Sequence, residues 1–190
     1  MVMPGEKYQK WDSQTYSINP NHPADYQKLL GALTGQPRYI IHLWSQAPFV
    51  SEQAALSAHL KMSLYSCFHL CKALLMQKRP ESIQLLYIYL ETPEALQPQY
   101  AAVSGFAKTI RVENPKLNYK TVALPNLDNI VEIALSEFQS SDVELRYDKG
   151  QRWIKRLQEF DGAHDTKTLL KENGSLFDNR WCRWFRAPVC

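Results

Sequence analysis

Glycine is scarce in this sequence, and its few occurrences are scattered. The 190 residues include only seven glycines, at positions 5, 31, 35, 105, 150, 162 and 174. No two of them are close enough to form the Gly-x-Gly-x-x-Gly turn that lets a backbone approach a pyrophosphate. The phosphate-binding string Gly-x-x-x-x-Gly-Lys is absent as well. The sequence therefore predicts no nucleotide-binding loop.

The residue patterns of common catalytic sites are also missing. Short-chain reductases place a lysine four residues after their tyrosine acid, but Tyr8 lies two residues before Lys10 and Tyr65 seven before Lys72. A nucleophile elbow needs a glycine two residues before its serine, and Ser104 lacks one. We therefore predict neither catalytic nor cofactor-binding residues, and no catalysis by this chain alone.

Cysteine and histidine do not occur at metal-binding spacing. Cys67 and Cys71 lie four apart on an apolar helical pattern, which favours core filling in a reducing cytosol. A metal site would need further ligands, such as paired Cys-x-x-Cys, so we predict none. His42, in a predicted strand, and His59 and His69, on a predicted helix, have no identifiable partner and are interpreted as core or surface residues.

An excess of one charge and long apolar runs are absent too. The 22 basic and 19 acidic residues give a net charge of +3, too balanced to indicate nucleic acid as a partner. No stretch approaches the roughly 20 apolar residues of a membrane span. The first ten residues lack the apolar run of a signal peptide. We expect a cytoplasmic protein with neither a nucleic-acid nor a membrane partner.

What the sequence does contain is an alternation of short apolar runs and helical patterns. Near-continuous apolar runs suit strands covered on both faces, and apolar residues three or four apart suit helices. The predicted strands are Arg38–Trp44, Ile83–Leu90 and Tyr119–Leu124. The predicted helices are Asp25–Leu33, Ser51–Lys78 with Ser51 as its cap, about Pro98–Val112, and Leu127–Phe138 with Asp128 near its start.

A hairpin is predicted to close this arrangement. Val143–Tyr147 and Gln151–Leu157 are extended segments joined across Asp148, Lys149 and Gly150, which favour a tight turn. Strands that alternate with helices predict an α/β fold with a parallel sheet flanked by helices.

Several strings follow one another at the spacing of a known family. They are Tyr16–Pro20, Asp25-Tyr26, Leu29-Leu30, Ile41–Ser45, Ser104–Pro115, Val143–Asp148 and Arg152–Leu157. In this order they resemble the structural subdomain of ketoreductases in modular polyketide synthases, over about residues 2–174. Ser104–Pro115 resembles the version in synthases with trans-acting acyltransferases.

The resemblance implies a truncated Rossmann-like subdomain that binds no cofactor. It also implies two partners, a catalytic subdomain that binds NADPH and the acyl carrier protein whose β-ketoacyl chain that subdomain reduces. The family usually has an earlier strand and helix before the region matched by Val2–Gly5. Without them, a sheet edge or an apolar face would be uncovered.

Five residues of the matching strings are candidates for structural or interface roles: Trp44, Gly105, Phe106, Arg111 and Glu113. Trp44 and Phe106 are interpreted as core residues, and Trp44→Ala would cost about 3–5 kcal/mol if the side chain is buried. Arg111 and Glu113 are expected either at the contact with the catalytic half or in a solvated surface pair.

Residues 175–190 depart from the family pattern and suggest a shifted reading frame. Tryptophan has one codon, so Trp181-Cys182 and Trp184-Phe185 each encode glycine in the neighbouring frame. That frame can read Val-Tyr-Leu-Ile-Thr-Gly-Gly-Ala-Gly-Gly-Phe, a strand with the glycine turn of a cofactor site. We therefore hypothesise a one-base insertion just after the Gly174 codon. The alternative is a genuine basic aromatic segment used for docking or anion binding.

Residues 1–174 are accordingly interpreted as a ketoreductase structural subdomain and 175–190 as an aberrant tail. An alternative function is a stand-alone interaction module that complements a separately encoded catalytic half. A complete small NAD(P) enzyme is disfavoured, because no glycine-rich loop is present.

Overall fold

A six-stranded sheet forms the centre of the molecule. The structure is a computed structural model that describes residues 1–35, 37–77 and 81–156, together with the backbone of 183–186. Its strands, numbered in chain order, are β4 (Tyr39–Ser45), β5 (Ile83–Leu90), β6 (Leu117–Leu124), β7 (Glu144–Asp148), β8 (Gln151–Arg156) and β9 (Arg183–Arg186). They lie side by side in this same order. The first four are parallel to one another, and β8 and β9 are antiparallel to their neighbours.

Helices cover both faces of this sheet. The helix α1 spans Pro23–Ala32. After β4, α2 (Gln53–Leu60) continues through a π turn (Lys61–Tyr65) into α3 (Ser66–Met76). The remaining helices are α4 (Pro98–Ala101), α5 (Val103–Glu113) and α6 (Ile130–Gln139). The predicted α/β fold with a parallel sheet, flanking helices and a closing hairpin is confirmed.

The strand side chains alternate between two hydrophobic cores. In β5, Tyr87 belongs to a core shared with α1, α3 and α5, whereas Leu86 and Ile88 belong to a core beneath α6. The next strand repeats this arrangement with Tyr119 and Val122. Because both faces of these strands are covered, the sequence shows unbroken apolar runs instead of alternation.

A small sheet at the N-terminus was not predicted. It orders three short strands as β1-β3-β2, spanning Val2–Pro4, Tyr16–Ile18 and Gln9–Lys10. Tyr16 and Ile18 of its central strand are buried in the first core. Strands of two or three residues are too short to show a hydrophobic period, which is why the sequence gives no signal here.

Several helix details differ from the predictions. Ser51 does not cap α2, which begins after Glu52 and has no side-chain cap. Phe68 and Leu75 lie among the apolar residues at helical spacing that predict the long helix, yet they are 46% and 39% exposed, while Cys67 and Leu74 are buried. The helix predicted from Pro98 is divided at Ala102, and α6 begins at Ile130, three residues later than expected.

The hairpin turn uses two residues in the left-handed region. Lys149 has φ 48° and Gly150 has φ 71°, between the paired residues Asp148 and Gln151. Two successive residues at positive φ are the signature of a type I′ turn, whose twist matches antiparallel strands. The predicted turn is confirmed.

Candidate functional site

The carboxyl edge of the parallel strands is where a Rossmann-like sheet would bind a nucleotide. Three loops, which we call links, connect the carboxyl ends of β4, β5 and β6 to the helices that follow them. They span residues 46–52, 91–97 and 125–129. None contains a glycine. A dinucleotide needs a tight glycine turn there so that backbone N–H groups can reach its phosphates. The residues present do not fit such a cofactor.

Carboxylates stand at two of these helix beginnings, where an anion would have to bind. Glu52 is the residue immediately before α2. Glu91 is buried, and its Oε2 accepts a hydrogen bond of 2.9 Å from the backbone N–H of Gln97, the residue before α4. The other oxygen, Oε1, lies 3.9 Å from Nη1 of Arg146. Glu52 makes no side-chain cap bond and Glu91 binds the residue before α4, so the two carboxylates lie near the positive ends of these helices, where they disfavour a phosphate.

Tyr100 on α4 resembles the tyrosine of the Tyr-x-x-x-Lys pair in short-chain reductases, but the lysine is missing. Tyr100 is 1% exposed, and burial raises the pKa of its hydroxyl. Four residues later, where the pair requires lysine, the chain has Ser104. Hydrogen bonds involving Gln99 and Ala47 act to lower the pKa of the phenol, but burial outweighs them, and no lysine stands at the position that the reductase pair requires. Tyr100 gives no sequence signal of a catalytic site, because the Tyr-x-x-x-Lys string is incomplete at this position.

The three histidines do not form a catalytic group. His42 is buried, with Nε2 2.8 Å from Oγ of Ser66, and burial lowers its pKa to about 4. Because Ser66 Oγ is also within donating distance of the carbonyls of Met62 and Ser63, His42 donates and Ser66 accepts. His59 and His69 are half-buried on α2 and α3. This arrangement agrees with the interpretation of core and surface histidines.

Both cysteines of α3 belong to the first core. Cys67 and Cys71 are 0% and 1% exposed and are not disulfide-bonded. Burial raises the pKa of Cys67 to about 12, which keeps its thiol protonated. The prediction of core filling is confirmed.

A buried charge network was missed by the sequence analysis. Glu137 of α6 is fully buried and binds Arg152 of β8 through Nε at 2.6 Å and Nη2 at 3.0 Å. It also accepts a 2.5 Å bond from the hydroxyl of Tyr147. Burial acts to raise the pKa of Glu137, but the bonds from Arg152 and Tyr147 outweigh it and lower the pKa. Lys120 donates to the carbonyls of Glu137 and Ser140 at the end of α6.

An exposed apolar cleft lies between α3 and α5, and we call it the α3–α5 cleft. Its volume is about 400 Å³. It is lined by Phe68, Cys71, Lys72, Leu75, Met76, Phe106, Ile110 and Glu113. Phe68 and Phe106 are in aromatic contact across it, with ring centroids 6.0 Å apart. The exposed charges Lys72 and Glu113 flank this apolar surface.

The five candidate residues do not form one site. Phe106 and Glu113 line the α3–α5 cleft, whereas Nη1 of Arg111 donates to the carbonyl of Ser141 at 3.4 Å. Gly105 is exposed, and a Cβ added there would meet open space. Trp44 lines a groove beside β4 and α1. Trp44 and Phe106 are both half-buried against the first core.

The comparison with known proteins identifies the family. Residues 1–138 match the family described as β-ketoacyl synthase-like, N-terminal. The chain belongs to this family. No curated protein matches the chain.

Two solved structures that contain ketoreductases are similar to this chain over part of their length. The N-terminal ketoreductase from the macrolactin assembly line is 28% identical, with a TM-score of 0.70 over 77% of this chain and 32% of that one. A keto acid-selecting NRPS module with adenylation, ketoreductase and pseudo Asub domains is 19% identical, with a TM-score of 0.70 over 80% of this chain and 14% of that one. The chain is the N-terminal structural subdomain of an assembly-line ketoreductase.

The fold is shared more widely with complete reductases. A short-chain dehydrogenase/reductase from Vibrio parahaemolyticus is 14% identical, with a TM-score of 0.52 over 70% of this chain and 76% of that one. At this identity the likeness concerns the fold alone. The chain spans about a third or less of the length of the two assembly-line structures it matches. Within its described residues, no helix is long and apolar enough to cross a bilayer.

Proposed function

We propose that this chain is a non-catalytic half that supports NADPH-dependent reduction of a β-ketoacyl chain on an acyl carrier protein. A catalytic half would bind the NADPH and carry out the reduction. The proposal rests on the three links at the carboxyl edge of the sheet. These links contain no glycine, and they place Glu52 and Glu91 close to the N-termini of α2 and α4. Acidic, glycine-free links cannot cradle a pyrophosphate.

The α3–α5 cleft is the surface proposed to contact the catalytic half. Phe68 and Leu75 are large apolar side chains that remain 46% and 39% exposed on α3, whose opposite face is packed into the first core. Exposed apolar patches bordered by charges mark protein interfaces. Glu113 lies at this border, which supports its predicted interface role, whereas Arg111 is directed toward Ser141 and supports the end of α6.

Two finer points are part of the proposal. The trans-acyltransferase type is supported by the Ser104–Pro115 string, which forms most of α5 and its C-terminal end. The one-base insertion after the Gly174 codon is supported by the glycines of the shifted frame. Residues 157–182 and 187–190 lie outside the described part of the chain. Sequencing the gene downstream of codon 174 tests the insertion, and a shifted frame that does not continue into a reductase would disprove it.

A reconstitution experiment tests the proposed function. The chain alone should neither bind NADPH in a calorimetric titration nor oxidise it with a β-ketoacyl thioester. Joined to a ketoreductase catalytic half in one polypeptide, the chain should support reduction. Micromolar NADPH binding by the chain alone would contradict the proposal.

Variants of the α3–α5 cleft make this test specific. Phe68→Asp and Phe106→Asp place a charge in the apolar contact, so each should lower reconstituted activity by tenfold or more, which corresponds to about 1.4 kcal/mol of docking free energy. Leu96→Asp introduces the same charge at a 57% exposed position in the link before α4 and should leave activity unchanged. Circular dichroism should show the same helix content for all three variants. Equal activity of the cleft variants and the control would exclude this surface.

The alternative function is a stand-alone module that complements a separately encoded catalytic half. The same cleft favours it, because an exposed apolar surface is suited to intermolecular docking as well. Mixing the two halves as separate chains discriminates between the proposals. Reduction that appears on mixing, without covalent linkage, favours the alternative.

A further inference from the structure

A π turn separates two helical segments that are anchored to the molecule very differently. The helix α3 is held in the first core by four buried residues, Cys67, Leu70, Cys71 and Leu74. The helix α2, on the other side of the turn, contains no fully buried residue. The turn Lys61–Tyr65 closes hydrogen bonds over five residues instead of four, which adds one residue to the helix. The rotation of α2 relative to α3 therefore depends on this turn.

The turn changes the partner of one backbone carbonyl. In an α-helix the N–H of Ser66 would donate to the carbonyl of Met62, four residues earlier. Here that N–H is directed to the carbonyls of Lys61 and Ser63 instead. The Met62 carbonyl loses its α-helical donor, and the hydroxyl of Ser66 replaces that donor at 2.7 Å. A serine hydroxyl that bonds the carbonyl four residues earlier is a local perturbation of a helix.

The same hydroxyl is held from β4 by His42. The Nε2 of His42 lies 2.8 Å from the Oγ of Ser66 and donates to it. The other ring nitrogen, Nδ1, has no hydrogen-bond partner among the described residues. Because Ser66 accepts from His42, its own proton is directed toward the carbonyls of Met62 and Ser63, at 2.7 and 2.9 Å. The chain of hydrogen bonds from His42 through Ser66 to Met62, in which each bond polarises the next, is called the His42 relay below.

The strand β4 is irregular at the same place. His42 pairs with Tyr87 of β5, whereas Ser45 pairs with Tyr89, so three steps along β4 match two along β5. One extra residue is thus inserted in the strand directly after His42, as one is inserted in the helix directly before Ser66. Both kinds of insertion occur preferentially at functional sites. The His42 relay is the hydrogen-bonded connection between these two insertions.

We propose that the His42 relay keeps the helix in its π form and thereby sets the rotation of α2. Without the relay, the N–H of Ser66 would return to the Met62 carbonyl, and the turn would become α-helical. The residue released from the turn would pass into α2, which would rotate by about 100° about its axis, because an α-helix has about 3.6 residues per turn. The helix α3 would stay in place, since its buried residues hold it in the core.

This rotation would be felt at α4 and at the carboxyl edge of the sheet. The rings of His59 on α2 and Tyr100 on α4 are in contact, with centroids 5.9 Å apart, and a rotation of this size would separate them. The link 46–52 runs directly into α2, so Glu52 would move as well. The α3–α5 cleft would keep its shape, because α3 and α5 form it. The relay is therefore a conformational device that acts on the carboxyl edge and not on the proposed docking surface.

A crystal structure of the full chain with Ser66→Ala tests this proposal. The variant removes the hydroxyl, so the N–H at position 66 should bond to the Met62 carbonyl, and the contact between His59 and Tyr100 should be lost. Ser63→Ala is the matched control, because Ser63 is also fully buried and bonds the carbonyl four residues earlier, that of His59 at 2.7 Å, but lies outside the relay. The control should keep the π turn. A π turn retained in Ser66→Ala would overturn the proposal.

Amide hydrogen exchange provides a second test if Ser66→Ala folds poorly. His42→Phe keeps an aromatic ring but removes the donor to Ser66. Exchange of the amides of residues 61–66 should become at least tenfold faster relative to the amides of β5, because the relay holds the turn locally. Ser63→Ala should change this ratio much less. Equal acceleration in both segments of His42→Phe, or none at residues 61–66, would contradict the proposal.

Discussion

At the scale of single residues, His42 shows how burial determines a protonation state. The side chain is 7% exposed, and its ring contacts those of Trp44 and Tyr87 at centroid distances of 5.0 and 5.5 Å. Ser66 accepts its one hydrogen bond at 2.8 Å. With no carboxylate in the contacts described for it, the imidazolium loses its hydration without compensation, so the pKa falls to about 4.

A depressed histidine pKa makes stability depend on pH in a defined direction. The unfolded chain takes up a proton near pH 6.5, whereas folded His42 takes one up only near pH 4. The free energy of unfolding should therefore fall as the pH drops from 6.5 to 4, by up to about 3 kcal/mol. Urea unfolding at several pH values measures this fall. His42→Phe should flatten it, and an unchanged slope in that variant would assign the acid sensitivity to other groups.

At the scale of the elements, the β7–β8 hairpin depends on its two-residue turn. Gly150 has φ 71°, a conformation that costs a residue with a Cβ about 1–2 kcal/mol. Gly150→Ala should lower the unfolding free energy by about that amount, although the added methyl meets no neighbouring atom. Lys149→Asn is the control, since asparagine tolerates φ 48° better than lysine and should be neutral or slightly stabilising. The denaturant midpoints of both variants measure the two changes in stability. An equal loss of stability in Gly150→Ala and Lys149→Asn would argue against this turn geometry.

The sequence predicted the elements well where they are long and covered on both faces. Both ends of the strand Ile83–Leu90 were predicted correctly. The run of eight apolar or neutral residues lies between Pro80 and Pro93, so the pattern fits a single strand. The π turn over Lys61–Tyr65 and the break at Ala102 carry no sequence signal, since they arise from packing. The exposure of Phe68 also escaped prediction, because an apolar side chain at helical spacing looks the same whether it faces a core or a docking surface.

The prediction about the candidate site rests mainly on residue types that the chain lacks. Missing glycines are visible in any sequence, and the structure shows that the links where they would be needed are glycine-free. Trp44 was expected in the core but is half-buried, so Trp44→Ala should cost less than the 3–5 kcal/mol of a fully buried tryptophan. The partners of Arg111 and Glu113 could not be predicted, because Ser141 and the α3–α5 cleft are brought near them only by the fold.

At the scale of the whole molecule, the Glu137 network connects α6 to the β7–β8 hairpin of the sheet. Arg152 of β8 binds both Glu137 of α6 and Asp142 of the loop before β7, the latter at 2.8 Å. Arg152→Ala would leave the fully buried Glu137 carboxylate without its cation and should destabilise the fold by about 3–5 kcal/mol. Thermal and urea unfolding would measure this loss.

A double variant separates the ion pair from general packing at this position. Glu137→Leu combined with Arg152→Leu removes both charges and keeps apolar volume, so it should be markedly less destabilising than Arg152→Ala alone. The result to be compared is the difference between the two unfolding free energies. A double variant as unstable as the single one would show that the buried charge is not the cause.

Acidic residues near two helix starts have a consequence for a reductase that would contain this chain. Glu52 precedes α2, and Glu91 binds the backbone just before α4, at the edge where a related fold would hold its cofactor. Under the proposed function, an enzyme built from this chain and a catalytic neighbour of similar architecture would contain two Rossmann-like sheets but one dinucleotide site. The two sheets would then not compete for the reductant.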